Sequence, residues 1–336
     1  MSVLEVTGLK THFFTKAGVV KAVDGVDLFV DQGEILGLVG ESGSGKSITG
    51  FSILGLVDEP GRIVEGSIRF KGEELVGADP ERMRALRGTG IAMIFQDPMM
   101  TLNPVLRVDT QMIEALKAHE RMSDKAARAR CIEVLGQVGI PSPAQRLEAY
   151  PHQFSGGMRQ RVAIAIALLH RPSLIVAHEP TTALDVTIQA QILHLLAELQ
   201  RELHMGLVLI THDLGIVARI ATRVVVMYAG EVVESGPAEQ IFNAPSHPYT
   251  RGLLECIPIP GRTERGGKLG TITGMVPSLV GHIQGCHFAD RCPHVIDTCR
   301  AGAVPLTEGA RPEHHVRCIR SSELPTVLPN AAGANA

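Results

Sequence analysis

Apolar residues follow two rhythms along this chain of 336 residues. Through residues 1–95 they form short β-rich runs between turns, at Leu4–Leu9, Val26–Val30, Ile35–Val39 and Ser67–Phe70. That pattern predicts strands of a mixed sheet. From about Pro98 to Pro151 the apolar spacing becomes three and four residues, as in Val108–His119 and Lys125–Val138, which predicts helices. Met158–His170 and Val186–Leu203 keep the helical rhythm, and Leu174–Ala177 and Leu207–Ile210 are wholly apolar. Strand, helix and strand in that order predict a parallel sheet covered on both faces. Thr222–Tyr228 and Glu231–Glu234 read as a hairpin around Ala229-Gly230. A composition shift follows at Asn243–Pro248, and Pro258-Ile-Pro-Gly-Arg262 reads as a turn-rich linker. The tail, residues 321–336, is rich in Ser, Pro, Ala and Asn and is expected to lack fixed structure.

Composition narrows the class. A net charge of −3 and a pI near 6.5 give no electrostatic case for nucleic acid or an anionic membrane surface as the main partner. No apolar run approaches the roughly 18–20 residues that cross a bilayer. The start, Met-Ser-Val-Leu-Glu-Val, has no basic segment followed by an apolar block, so a cytoplasmic protein is expected, with any membrane role coming through partners. Six cysteines in a reducing compartment are poor disulfide candidates. Cys131 and Cys256 stand alone and read as small buried hydrophobes.

The sharpest chemical signal is Gly40-Glu41-Ser42-Gly43-Ser44-Gly45-Lys46-Ser47, between the expected strand Glu34–Val39 and an expected helix over Ile48–Leu56. Glycines let such a loop turn its N–H groups onto a phosphate chain, and the helix N-terminus adds positive potential. Lys46 is expected at the β- and γ-phosphates and the Ser47 hydroxyl on Mg²⁺. A chance lysine in a flexible loop is the bland alternative, which strand before and helix after disfavour. A second motif, Phe154-Ser155-Gly156-Gly157-Met158, stands at the start of another helix. It reads either as an ordinary Ser cap or as a second phosphate cradle. One nucleotide needs one cradle, so the second is best explained if it caps a triphosphate held by another chain.

With Leu174-Ile-Val-Ala-His-Glu-Pro180, Ala183-Leu-Asp185 and Thr211-His212-Asp213 in the same order, the chain resembles the ATPase subunit of ABC transporters over roughly residues 4–245. Ile91–Pro98, Thr101-Leu-Asn-Pro104, Tyr150-Pro-His-Gln153 and His247-Pro-Tyr-Thr250 make it similar to the dipeptide, oligopeptide and nickel importer branch, out to about residue 320. The resemblance implies an α/β fold: an ABC-type phosphate-loop core with an antiparallel β subdomain, a helical subdomain over about 98–155, and a small Cys-rich C-terminal lobe over 251–320 following the ATPase domain of 1–250. It implies ATP hydrolysis driving uptake of short peptides at the cytoplasmic face of the membrane. The implied partners are a second, related ATPase, two integral membrane subunits and, indirectly, an extracytoplasmic peptide-binding protein, with no nucleic acid. The alternatives are a soluble ABC ATPase of DNA or ribosome processes and a non-hydrolysing regulatory subunit.

Site roles follow from the resemblance. Gly40 to Ser47 and Ile48 line the phosphates, and Phe13 stands where an aromatic stacks on adenine, though a plain apolar strand residue is the equal alternative. Gln96 is expected to ligate Mg²⁺ and sense the γ-phosphate, and Glu179 to act as general base. His212 would hold the attacking water, and Asp185 would run along the dimer interface. Ser155, Gly156 and Gly157 would serve the ATP of the partner chain, and Met158 replaces the usual glutamine. His178 is the departure, because the family places Asp there. Neutral imidazole supplies no negative charge beside Mg²⁺, and imidazolium would repel it. Turnover at this chain's own site is therefore expected to be impaired.

Four cysteines crowd as Cys286-x5-Cys292-x6-Cys299-x18-Cys318. The spacing suits a Cys₄ centre and chooses neither zinc nor iron–sulfur. Relatives carrying this pattern resemble 4Fe–4S proteins, so the resemblance favours that cluster over zinc. His282, His287, His294, His314 and His315 lie nearby as possible substitute ligands. Four unligated buried thiols are the remaining alternative.

Overall fold

The computed structural model describes residues 2–182, 184–257, 270–309 and 311–324. The linker expected at Pro258–Arg262, Ala183 of the Ala-Leu-Asp motif and the tail from 325 lie outside the described residues. The chain divides into two compact units that exchange segments along the sequence. The first holds Met1–Val3, Val30–Ile35 and Gly77–Leu209, and the second holds Leu4–Phe29, Leu36–Val76 and Ile210–Ala336.

In the first unit, Leu174–His178 lies between Gly206–Thr211 and Ile91–Ile94. Its pairing with Ile91–Ile94 is parallel, with Ile91 opposite Leu174 and Ile94 opposite Ala177. Leu174–His178 and Gly206–Thr211 are buried at every position, as uninterrupted apolar runs require of a doubly covered sheet. Ile91–Ile94 is a strand that the apolar pattern alone did not single out. Helices surround it. Asp124–Gln137 is capped by Ser123, whose hydroxyl accepts from the Ala126 N–H at 3.3 Å, and it packs on Val108–Lys117 through a core that includes Met112, Leu116, Ala127 and Val134. Gly156–Leu168 and Val186–Leu203 complete the set, and His204 in the left-handed region, φ 51°, ends the latter.

In the second unit, a four-stranded sheet runs in the order Gly18–Asp31, Ser2–Thr15, Gly61–Phe70, Glu73–Glu74. Its strands are far longer than the apolar runs suggested. Ser2–Thr15 is half-buried, so polar residues interleave with apolar ones and hide the strand's length. Ile35–Val39 runs parallel to Arg223–Tyr228, which forms the expected hairpin with Glu231–Pro237. Its turn residues Ala229 and Gly230 have φ of 46° and 86°. His315–Val316 and Thr307–Glu308 add to that edge, with Val316 opposite Glu234. The C-terminal segment is thus built into the sheet that carries the phosphate loop. Glu234, fully buried, fixes this join by accepting from Ser246 N at 2.6 Å, His247 N at 3.0 Å and His314 Nε2 at 2.8 Å.

Candidate active site

Within the second unit, the buried strand Ile35–Val39 delivers the loop Gly40–Gly45 to the helix Lys46–Ile53. Two glycines there are sterically required. A Cβ on Gly40, φ 150°, would meet Met227 O at 2.2 Å, and one on Gly45, φ 100°, would meet Ala22 O at 2.3 Å. Gly45 is the helix cap and brings no side-chain acceptor, so the first helical N–H groups face the loop's hollow without a side-chain cap. Lys46 is 5% exposed and curls back, its Nζ donating to Gly40 O at 2.7 Å, Glu41 O at 2.8 Å and Ser44 Oγ at 3.2 Å. Ser47 and Ile48 follow, half-buried. Phe13 packs its ring against the backbone of Gly61, directly opposite it in the antiparallel sheet. His212 is exposed in the short turn after Gly206–Thr211. Asp213 beside it caps the following helix by accepting from Gly215 N at 2.8 Å and Ile216 N at 3.3 Å, and its own N–H donates to Thr211 Oγ1.

Within the first unit, His178 is the last, buried residue of its strand, and Glu179 follows with φ 45°. That left-handed conformation costs a non-glycine residue about 1–3 kcal/mol and persists only where its surroundings impose it. They do so here. Glu179 Oε2 accepts from Gln96 Nε2 at 3.0 Å and from Thr182 Oγ1 at 2.8 Å, and the Thr182 N–H donates to Glu179 O at 3.2 Å. Thr182 carries no motif signal, and only the fold reveals it as a partner of the carboxylate. Gln96 donates through its Nε2 to Glu179, and its amide carbonyl is the kind of oxygen a hard cation takes.

The same unit joins the glycine-rich helix start to the Asp185 segment. The Ser155 hydroxyl accepts from Met158 N at 3.3 Å, and the Asp185 carboxylate accepts from Ile188 N at 3.0 Å, each capping its helix. Ser155, Gly156 and Asp185 are exposed. A Cβ on Gly157 would lie 2.7 Å from Ile188 Cγ2, so glycine is what lets these two helices approach.

The metal centre expected on Cys286, Cys292, Cys299 and Cys318 is corrected. Among the described residues no group of three or more His, Cys, Asp or Glu side chains is arranged to hold a metal ion, so neither the 4Fe–4S cluster nor zinc stands. The four thiols line one narrow hollow together with Phe288, Val304 and Leu324. Burial pushes the Cys286 thiol up to about 11 and raises Cys292 and Cys318 as well, which holds them protonated at neutral pH. Cys299 is buried and the other three are half-buried. Two of the nearby histidines are engaged elsewhere: His314 is buried on Glu234, and His287 Nδ1 lies 2.9 Å from Ala229 O.

The model of the ABC transporter family matches residues 23–182, and that of the oligopeptide/dipeptide transporter C-terminal region matches 233–299. The chain is 50% identical over 301 residues to the dipeptide transport ATP-binding protein DppD of Escherichia coli K12, covering 90% of this chain and 91% of that one. It is also 50% identical over 300 residues to DppD of Haemophilus influenzae, covering 89% and 90%. Among solved structures, the ATP-binding cassette MJ0796, described as a dimer in a post-hydrolysis state with ADP and Pi, aligns with a TM-score of 0.62 at 28% identity, covering 70% of this chain and 98% of that chain. The cassette cbiO1 of Clostridium perfringens, described as part of the ABC transporter complex cbiONQ, aligns with a TM-score of 0.61 at 26% identity, covering 72% of this chain and 90% of that chain.

Proposed function

The chain belongs to the ABC transporter ATPases as an ATP-binding subunit of the peptide-import type, and on that premise we propose how its residues carry out the work. The observation that carries the reading is Glu179: a carboxylate held in a strained backbone conformation at the end of a buried strand, fixed by Gln96 and Thr182. Strain so supported is characteristic of a residue kept for chemistry. Glu179 takes the proton from the attacking water as general base. Lys46 leaves its loop carbonyls for the β- and γ-phosphates, and the loop and helix N–H groups take the remaining phosphate oxygens. Ser47 and Gln96 would supply oxygen ligands to Mg²⁺, and its charge would offset that of the phosphoryl oxygens. His212 orients the water, and Phe13 faces the base.

Ser155, Gly156 and Gly157 serve an ATP carried by a second, related ATPase chain, with Asp185 at the same seam. The exposure of Ser155, Gly156 and Asp185 supports this reading, as does the dimeric state described for the MJ0796 cassette. Residues 98–155 contact two membrane subunits, and residues 251–320 form a C-terminal lobe of the oligopeptide-importer type, the matched C-terminal family region being its support. Among the described residues no helix is long and apolar enough to cross a membrane. On this reading those subunits hold the chain at the membrane's cytoplasmic face. The substrates are dipeptides and short peptides, as the names of its relatives indicate.

His178 lowers turnover at this chain's own site, since imidazole cannot supply the negative charge expected beside Mg²⁺. The test of the whole reading is ATP-driven uptake of a labelled dipeptide into vesicles carrying the assembled transporter. Uptake that disappears when this chain is omitted, and returns on its addition, supports it. Uptake indifferent to this chain removes it.

A further inference from the structure

The phosphate loop carries an acidic residue at its second position. A carboxylate on Glu41 beside bound phosphates would oppose them by Coulomb repulsion if it stood alone. It does not stand alone. Arg291, 250 residues away along the chain, meets it with a two-pronged ion pair: Nη1 to Oε2 at 2.6 Å and Nη2 to Oε1 at 3.1 Å. The Arg291 side chain is 4% exposed, and that of Glu41 is 30% exposed.

The remaining donors of the guanidinium are also committed. Nε donates to Thr273 O at 3.1 Å, Nη2 to Ile272 O at 3.2 Å and Nη1 to the Tyr228 hydroxyl at 3.3 Å. Its carbon lies 5.7 Å from the Tyr228 ring centre and 5.9 Å from that of Phe288. The fork is therefore aimed at the loop by its own surroundings, as a planar five-donor group allows and a lysine would not. The backbone of Glu41 is held as well. Its N–H donates to the buried Tyr249 hydroxyl at 2.8 Å, while its carbonyl accepts from Lys46. Of these three ties, the Lys46 bond is the one a triphosphate must break, because Lys46 is the residue that reaches for phosphate. Arg291 and Tyr249 then hold the loop.

We propose that Arg291 is a positioning residue for nucleotide binding: it cancels the Glu41 charge beside the phosphates and, with Tyr249, lets the C-terminal segment set the ATP affinity of the phosphate loop. This rests on the reading that Gly40–Ser47 binds ATP. The test is equilibrium binding of ATP to the full chain at low and high ionic strength, with thermal unfolding read on each variant. Arg291→Met is expected to weaken ATP binding about tenfold at low salt, less at high salt, with kcat at saturating ATP unchanged. Arg291→Lys is expected to fall between. Glu41→Gln combined with Arg291→Met, which leaves neither charge unpaired, is expected to return to within about threefold of wild type, and it carries the test alone if the single variant does not fold. Wild-type affinity in a folded Arg291→Met, or a tenfold loss in the double variant, overturns the proposal. Absence of ATP binding by the wild-type chain would instead remove the underlying reading.

Discussion

Gln96 Nε2 stands 3.0 Å from Glu179 Oε2, joining the second residue after one parallel strand to the first residue after its neighbour. The strands put these positions side by side, since Ile94 and Ala177 are paired two residues before each. The Gln96 amide and the Glu179 carboxylate are thus brought together by sheet register, and Thr182 donates to the same carboxylate oxygen.

Loss of the Thr182 hydroxyl leaves Glu179 with one donor fewer and a looser backbone. Thr182→Ala is expected to lower kcat about tenfold with little change in KM for ATP, since one hydrogen bond to a charged group is worth about 1.5–3 kcal/mol before rearrangement. Steady-state hydrolysis by the assembled transporter reads it. An unchanged kcat would show that Thr182 only decorates the turn.

On the proposed reading, His178 stands where the family's metal-side carboxylate is expected. His178→Asp is expected to raise hydrolysis by the assembled transporter about tenfold, the size typical of an outer-layer metal partner. A rate equal to wild type would mean the negative charge is dispensable here.

Gly157 lies where any larger residue collides with Ile188 at 2.7 Å. Gly157→Ala is expected to destabilise the chain by about 1–3 kcal/mol, as overpacking does. Adding Ile188→Ala should recover much of it, because the clash is with that side chain. Thermal unfolding of the single and double variants reads both, and equal stability of Gly157→Ala and wild type would contradict the close approach.

His247 is fully enclosed, its Nδ1 accepting from Tyr249 N at 3.0 Å, and burial pushes its imidazole down to about 4 despite the opposing pull of Glu234. The unfolded chain, with a pKa near 6.5, binds this proton first. Folding stability is therefore full above pH 6.5 and falls as pH drops from 6.5 to about 4. Over that window the loss reaches about 3 kcal/mol. His247→Asn keeps a cap acceptor without the titration, so its unfolding midpoint should fall less across the same range. Parallel curves for the two proteins would contradict the assignment.

Much of this was legible in the residues. Uninterrupted apolar runs marked Leu174–Ala177 and Leu207–Ile210, because a strand buried on both faces has no polar positions to confuse it. The phosphate loop and the Ser-Gly-Gly helix start were equally plain, since their glycines answer to local geometry. Half-solvated strands such as Ser2–Thr15 showed only their buried stretches. Nothing local marked Thr182 as a partner of Glu179, or Arg291 as a partner of Glu41 across 250 positions. The cysteine spacing misled for a related reason. Proximity in sequence does not distinguish thiols gathered to bind metal from thiols that line an apolar hollow, and among the described residues no group is arranged to hold a metal ion.

The central claim is that Glu179 cleaves ATP for transport. It is tested most directly by single-turnover hydrolysis in the assembled transporter carrying Glu179→Gln, with ATP binding measured on the same sample. The predicted result is ATP affinity within about twofold of wild type and hydrolysis at this chain's own site reduced about 10²–10⁴-fold, the usual contribution of a general base. Hydrolysis at the wild-type rate would contradict the account.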